Sequence, residues 1–290
     1  MESFTFEAIG TLFEIGTNRP LGDALEWTLL REAERFDWVW SRFRPDSLVA
    51  QMRAGTGTWD LPAESAKLSE LYARLYRVTR GAINPWIGSS LERIGYGPGY
   101  ELVPSRPPEP APLWDADHVW EGTAVVLTYP AVLDIGAAGK GLLVDRFGEI
   151  LAEAGHREFV IDGSGDILHA GAEPVRAALE HPYNADEAIG LVDFQDMALC
   201  ASAGNRRAWG DGFHHLLDAR TGAPVRSVVA AWALAPDAMT ADALSTALFV
   251  ARGPDLAAEF AGPNGGPEWL QVFSDGHAEG SPAFLEGLFS

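Results

Sequence analysis

Residues 133–145 read LDIGAAGKGLLVD, three glycines and a lysine between an apolar run and the start of a helical pattern. A phosphate loop of the doubly wound nucleotide-binding kind needs G-x-x-x-x-G-K-[ST], with glycine at 134 and Ser or Thr at 141. Those places hold Asp134 and Gly141, so the pattern fails at both ends. A second glycine turn, VIDGSGDILHAG at 160–171, has Leu168 where the dinucleotide fingerprint needs its third glycine. With neither signature present, and strand-like and helix-like runs mixed without strict alternation, the expected fold is α+β with a largely antiparallel sheet and flanking helices.

The elements follow from periodicity. Strands are expected around 3–9 and 11–16, at TAVVLTY (123–129), AVLDIG (131–136), EFVID (158–162), DILHAG (166–171), EPVRAALE (173–180), near 188–193 and 228–234, and at WLQVFS (269–274). Helical stripes run through Leu25, Leu29, Leu30, Phe36 and Val39, with Asp23 as a possible cap, and through Leu68, Leu71, Leu75 and Val78, with Gly81 as a stop. Another helix begins near Lys140, and a late one lies in APDAMTADALSTALFV (235–250), with Thr240 as its possible N-cap. Residues 97–112 hold six prolines and exclude regular helix or central strand. We read 1–290 as one domain with this Pro-rich insertion.

Composition narrows the function. The chain carries 21 basic and 41 acidic residues, a net charge of −20, which repels nucleic acid and anionic membrane surfaces. Positive charge for an anionic ligand must therefore be local. Cys200 is the single cysteine, so an internal disulfide and thiolate metal cages are excluded. No run approaches the roughly 18–20 apolar residues of a membrane span. The opening MESFTFEAIGTLFEIG reads as strand rather than leader, which makes a cytoplasmic chain the expectation, or an exported one if a leader has been removed.

Four stretches can carry chemistry. The glycine turn before Lys140 is either an anion cradle built from backbone N–H groups or an ordinary tight turn. In GSGDI (163–167) small residues let the backbone approach a strand or a ligand. His214 and His215 would alternate to opposite faces of a strand, so they do not share a metal; one of them suits proton transfer, and a structural role suits both. Asp242 and Thr246, four apart on one helical face, are either the capped start of a core helix or two oxygen ligands for a hard cation such as Mg²⁺.

In order, Gly10-Thr11, SRFRPDS (41–47), GAINP (81–85), LDIGAAGKGLLVD, GSGDI, HHLLDARTG (214–222) and DAMTADALSTALFV (237–250) resemble the motifs of the ApbE family, the FAD:protein FMN transferases. The resemblance covers roughly residues 8–250. It implies an ApbE-like fold and transfer of the FMN part of FAD to a threonine (or serine) hydroxyl of an acceptor protein, releasing AMP. It further implies Mg²⁺ held by Asp242, Thr246 and the carbonyl of Gly139, with His215 as base and Asp218 orienting the strand beside it. Lys140 and Asp166 would line the FAD cleft, and Ile9, Leu48, Val49, Asn84 and Leu217 are the remaining FAD-contact positions so implied. Asn84 stands where the family usually has Asp, and Leu48, Arg53 and Ser164 also depart from its pattern. These departures leave two alternatives: an FAD pyrophosphatase, or a non-catalytic FAD-binding protein.

Overall fold

Alternating apolar residues set the first two strands of the structure, a computed structural model that describes residues 2–114, 117–263 and 265–289. β1 (Glu2–Ala8) and β2 (Thr11–Thr17) pair antiparallel, so that Phe6, Phe13 and Ile15 turn inward while Leu12 and Glu14 face out. Both residues of the connecting turn, Ile9 (φ 45°) and Gly10 (φ 75°), adopt left-handed backbone. Tight hairpins favour that geometry because it matches strand twist. The Phe6 and Phe13 rings stack at 5.6 Å and meet Phe147 edge-on.

Six more strands complete the sheet: β3 (Phe159–Asp162), β4 (Asp166–Ala170), β5 (Ala198–Ala203), β6 (Val228–Ala235), β7 (Glu268–Phe273) and β8 (Ala278–Gly280). They lie side by side in chain order, and every neighbouring pair is antiparallel. The α+β expectation with a largely antiparallel sheet is met. One layer of core, with Leu199, Trp232, Leu270 and Phe284, also packs a separate hairpin of Val175–His181 and Asn184–Phe194. The alanines of β6 are fully buried, and the helix Ala238–Ala247 packs on β5 and β6. The helix Gly139–Glu153 packs in turn on β3 and β4.

The chain divides into two compact units. The sheet and these helices belong to the first, built from the stretches up to 36, 136–205 and from 227 onward. The second comprises 37–135 and 206–226. It contains the helix Ser65–Val78, whose Leu68, Leu71 and Leu75 are buried as their spacing predicts, and a three-stranded antiparallel sheet of Gly57–Asp60, Ala124–Leu127 and His118–Glu121. Residues 97–112 form neither helix nor strand. They are held by backbone bonds from Leu102, Ser105 and Ala111 to Gly95, Arg93 and Ala219.

Two expectations change. AVLDIG is not a strand: the Asp134 N–H donates to the Pro85 carbonyl and its carboxylate pairs with Arg42, so the segment's polar groups go to neighbours other than a sheet edge. Thr240 is not the N-cap of the late helix. Asp237, three residues earlier, takes that place and accepts the Thr240 N–H at 2.8 Å. A carboxylate at this position reaches the third helical N–H directly.

Candidate functional site

In the first unit, the starts of the helices Gly139–Glu153 and Ala238–Ala247 come into contact. Asp242 Oδ2 accepts the N–H of Gly141 at 2.9 Å. Asp145, one turn beyond Gly141, accepts the N–H groups of Ala238 and Met239 at 2.8 and 2.9 Å. Glycine at 141 is required by space: a Cβ there would lie 2.1 Å from the Ala238 carbonyl oxygen and 2.8 Å from Asp242 Cβ. The mismatch that excluded a phosphate loop thus has a packing cause.

Lys140 reaches the β3–β4 turn. Its Nζ donates to the Gly163 carbonyl at 3.0 Å and lies 3.0 Å from Asp166 Oδ2. Asp166 is fully buried, and neither of its oxygens completes a well-directed hydrogen bond despite that ion pair. Burial and then the Asp166 charge push the Asp242 carboxyl well above the usual carboxylate range, with Lys140 and the Gly141 N–H opposing. Burial also disfavours the Lys140 charge, yet Asp166 and Asp242 hold the ammonium above its ordinary value. Burial and Asp237 push Asp145 up to about 7 against the two N–H groups it accepts.

Thr246 lies one turn after Asp242, its Oγ1 3.2 Å from Ser202 Oγ at the end of β5. Ser202 also meets Ser245 Oγ at 2.8 Å. The structure therefore brings Gly139, Lys140, Asp166 and Asp242 together about two helices and one turn, with Thr246 one turn beyond Asp242. Asp145 and Ser202 join them without having been singled out as site residues. Among the described residues no group of three His, Cys, Asp or Glu side chains is placed to hold a metal. The expected ligand set, a carboxylate, a hydroxyl and a carbonyl, is all oxygen and suits a hard cation such as Mg²⁺. Two buried carboxyls share one lysine here, and a cation would supply the charge that lets both ionise, so the residues fit the ion.

The turn Gly163–Gly165 adds a further constraint. Ser164 sits at φ 59°, where the family pattern has glycine, and donates its Oγ–H to the Leu12 carbonyl at 2.8 Å. That bond anchors the turn to β2 and helps offset the cost of a side chain in left-handed backbone. Ile9, half-buried, lies at the left-handed tip of the β1–β2 hairpin.

The other expected residues lie in the second unit. His214 is structural: Nε2 contacts the Val225 carbonyl at 2.8 Å and Nδ1 accepts the Leu216 N–H. His215 is half-buried, its Nδ1 wholly buried and unpartnered, with its ring 6.2 Å from that of Tyr96. Burial, then Arg207 and His214, lower it to about 3, while Asp134 acts in the opposite sense. Tyr96 is in turn bonded by Arg207 at 2.6 Å and stacked on Trp209. Asp218 is taken up by Arg220, which binds both its oxygens and holds it below the usual carboxylate range although burial opposes this. It fixes the turn that follows His215.

Asn84 is buried and satisfied: Oδ1 accepts the Trp86 N–H at 3.0 Å and Nδ2 donates to the Pro112 carbonyl at 2.8 Å. A carboxylate could not make the second bond, which accounts locally for amide in place of acid. Arg53 pairs with Glu92 at 2.6 Å. Val49 and Leu217 point into the core and Leu48 is half-buried, so Val49 and Leu217 offer a ligand only backbone.

The chain is similar to known proteins along most of its length. The family model described as the ApbE family matches residues 9–266. The FAD:protein FMN transferase of Haemophilus influenzae is 29% identical over 262 residues, spanning 81% of this chain and 74% of that one. That of Rhodobacter capsulatus is 29% identical over 302 residues, spanning 97% of this chain but 57% of its own. Among solved structures, the ApbE protein of Thermotoga maritima matches with a TM-score of 0.83 at 23% identity, covering 100% of this chain and 99% of that one. The flavin transferase ApbE of Vibrio cholerae matches at 0.80 and 22%, covering 99% of each. With its match over most of the length and its all-antiparallel sheet, the chain belongs to the ApbE family.

Proposed function

We propose that this protein is an FAD:protein FMN transferase that joins the FMN part of FAD to a threonine or serine hydroxyl of an acceptor protein and releases AMP. The observation that carries the reading is the pair of buried carboxyls, Asp166 and Asp242, about one lysine at a place built from oxygen donors, where ionisation is disfavoured unless a cation joins them. Relatives named for this activity support it.

Asp242, Thr246 and the Gly139 carbonyl would hold Mg²⁺, which when bound neutralises charge on the pyrophosphate oxygens. Lys140, fixed by Gly163 and Asp166, places an ammonium for the same oxygens. The acceptor hydroxyl oxygen forms a bond to the phosphorus of the FMN phosphate as the bond from that phosphorus to the bridging oxygen breaks. The leaving oxygen departs with AMP. The hydroxyl proton passes to His215, which burial, Arg207 and His214 keep neutral, at the expense of its strength as a base. Asp218, locked to Arg220, positions the turn after that histidine.

The bonds of Asn84 to Pro112 and of Arg53 to Glu92 give two of the four departures from the family pattern a local role, which weakens the motive for a drifted, non-catalytic site. Among the described residues no helix is long and apolar enough to cross a membrane. The test is incubation with FAD, Mg²⁺ and candidate acceptor proteins, read by in-gel flavin fluorescence. Labelling that needs Mg²⁺ and is lost in Asp242→Ala and Thr246→Val supports the reading. Free FMN and AMP without a labelled acceptor would assign hydrolysis instead.

A further inference from the structure

We infer that Asp145 is a positioning residue for the cation site: it locks the Ala238–Ala247 helix to the Gly139–Glu153 helix and so sets the spacing of Gly139 and Asp242. The inference rests on the cation reading above. It concerns a residue to which that reading gives no role.

The two helices hold each other reciprocally. A helix start leaves up to four N–H groups without partners inside the helix. Ala138, at the N-cap of the first helix, supplies no side-chain cap, and the Gly141 N–H goes to Asp242 of the second. In the second helix Asp237 takes the Thr240 N–H, while those of Ala238 and Met239 go to the two oxygens of Asp145 in the first. Asp145 stands four residues after Gly141 and Asp242 four after Ala238, so each carboxylate lies one turn above the N–H group or carbonyl engaged by the other helix. The absent Cβ at Gly141 lets the Ala238 carbonyl come within the same contact.

Gly139 opens the first of these helices, and Asp242 and Thr246 lie on the second, in its second turn and near its end. Without Asp145, two N–H groups lose their acceptor, and the Ala238–Ala247 helix is free to draw away from Gly139. Asp237 is the natural control. It caps the same helix end, but its bonds stay within its own helix, to the N–H and hydroxyl of Thr240.

The experiment titrates Mg²⁺ alone calorimetrically into wild type, Asp145→Ala, Asp145→Asn, Asp237→Ala and Asp242→Ala, with thermal midpoints recorded in parallel. Asp145→Ala should weaken Mg²⁺ binding roughly tenfold to a hundredfold, the range found when groups orienting metal ligands are removed. Asp145→Asn, which keeps one good acceptor oxygen, should lose less, and it carries the test if Asp145→Ala does not fold. Asp237→Ala should lower the thermal midpoint with Mg²⁺ affinity within about twofold of wild type, because its bonds cap its own helix and do not join the two helices. Unchanged affinity in Asp145→Ala, or an equal loss in Asp237→Ala, overturns the inference while leaving the cation reading intact, provided that Asp242→Ala abolishes binding. Absence of Mg²⁺ binding by wild type overturns both.

Discussion

Replacing Gly141 by alanine separates two opposing effects. Glycine inside a helix is worse than alanine by about 1 kcal/mol, so Gly141→Ala considered alone should stabilise the protein. Gly141 takes no left-handed backbone, so conformational freedom does not explain the residue. Space does: the new Cβ would meet the Ala238 carbonyl oxygen at 2.1 Å and its carbon at 2.5 Å. These are backbone atoms that no rotamer change can move. To reach ordinary contact at 3.4 Å the two helices must part by about 1.3 Å, which also stretches the bonds of Gly141 to Asp242 and of Ala238 to Asp145. Overpacking typically costs about 1–3 kcal/mol, and a weakened hydrogen bond about 0.5–1.5 kcal/mol. After the propensity gain we expect a net loss of about 2 kcal/mol, a fall in thermal midpoint of about 3 °C for a chain of 290 residues. Gly148→Ala, in the same helix, is the comparison: its Cβ would meet the end of the Leu168 side chain at 2.7 Å, a group that can turn aside. That variant should stay within about 1 kcal/mol of wild type. Urea unfolding followed by circular dichroism measures both. A Gly141→Ala protein as stable as Gly148→Ala would show that the helix contact is not tight.

Three further outcomes are expected. His118 is buried between Trp86 and Tyr129, and burial holds it below the usual histidine value although Asp117 opposes this. The unfolded chain therefore takes up the proton first, so this contribution is complete above about pH 6.5 and declines as pH falls toward the folded value. His118→Phe should reduce the slope of urea midpoint against pH between 7.5 and 5, by up to about 1.4 kcal/mol per pH unit after conversion; identical slopes would rule the contribution out. Asn84→Asp places a carboxylate against the Pro112 carbonyl with no hydrogen to donate and should destabilise by about 1–3 kcal/mol in the same assay, an unaltered midpoint counting against that bond. If His215 is the base, kcat/KM for flavin transfer, which reports the free enzyme, should show no histidine limb between pH 5 and 8; a limb near 6.5 that vanishes in His215→Ala would contradict its lowered proton affinity.

Local pattern reveals what is local. Phe13 and Ile15 alternate with Leu12 and Glu14, and Leu68, Leu71 and Leu75 recur at helical spacing; strand and helix are legible there because side-chain periodicity alone decides which face is buried. The failed spacing at Asp134 and Gly141 excluded a phosphate loop, but why residue 141 must be glycine depends on a carbonyl 97 positions away. Asp145 was equally hidden. On its own helix it is one of several charged residues, with Arg146 beside it, and its partners Ala238 and Met239 have no side-chain polarity to betray the contact. Asn84 reads as a change of charge, whereas the structure gives it a bond that only an amide makes. The cap of the late helix was misplaced from Asp237 to Thr240 because both residue types favour such positions and spacing did not separate them.

The ion pair of Arg42 with Asp134 bears on how the chain reaches this fold. β2 and β3 are neighbours in the sheet, from Glu14↔Asp162 to Thr17↔Phe159, although most of the chain between them, residues 37–135, belongs to the second unit. Arg42 and Asp134 stand near the two ends of that excursion, and the arginine is almost wholly buried. Once they meet, the loop that β2 and β3 must close is shortened roughly threefold, which lowers its entropic cost by about 1 kcal/mol. Residues 37–135 also leave the ribosome before β3 does, so the clasp can form while the sheet is still half made. A break at Arg42 would then be felt first in the speed at which β3 finds β2.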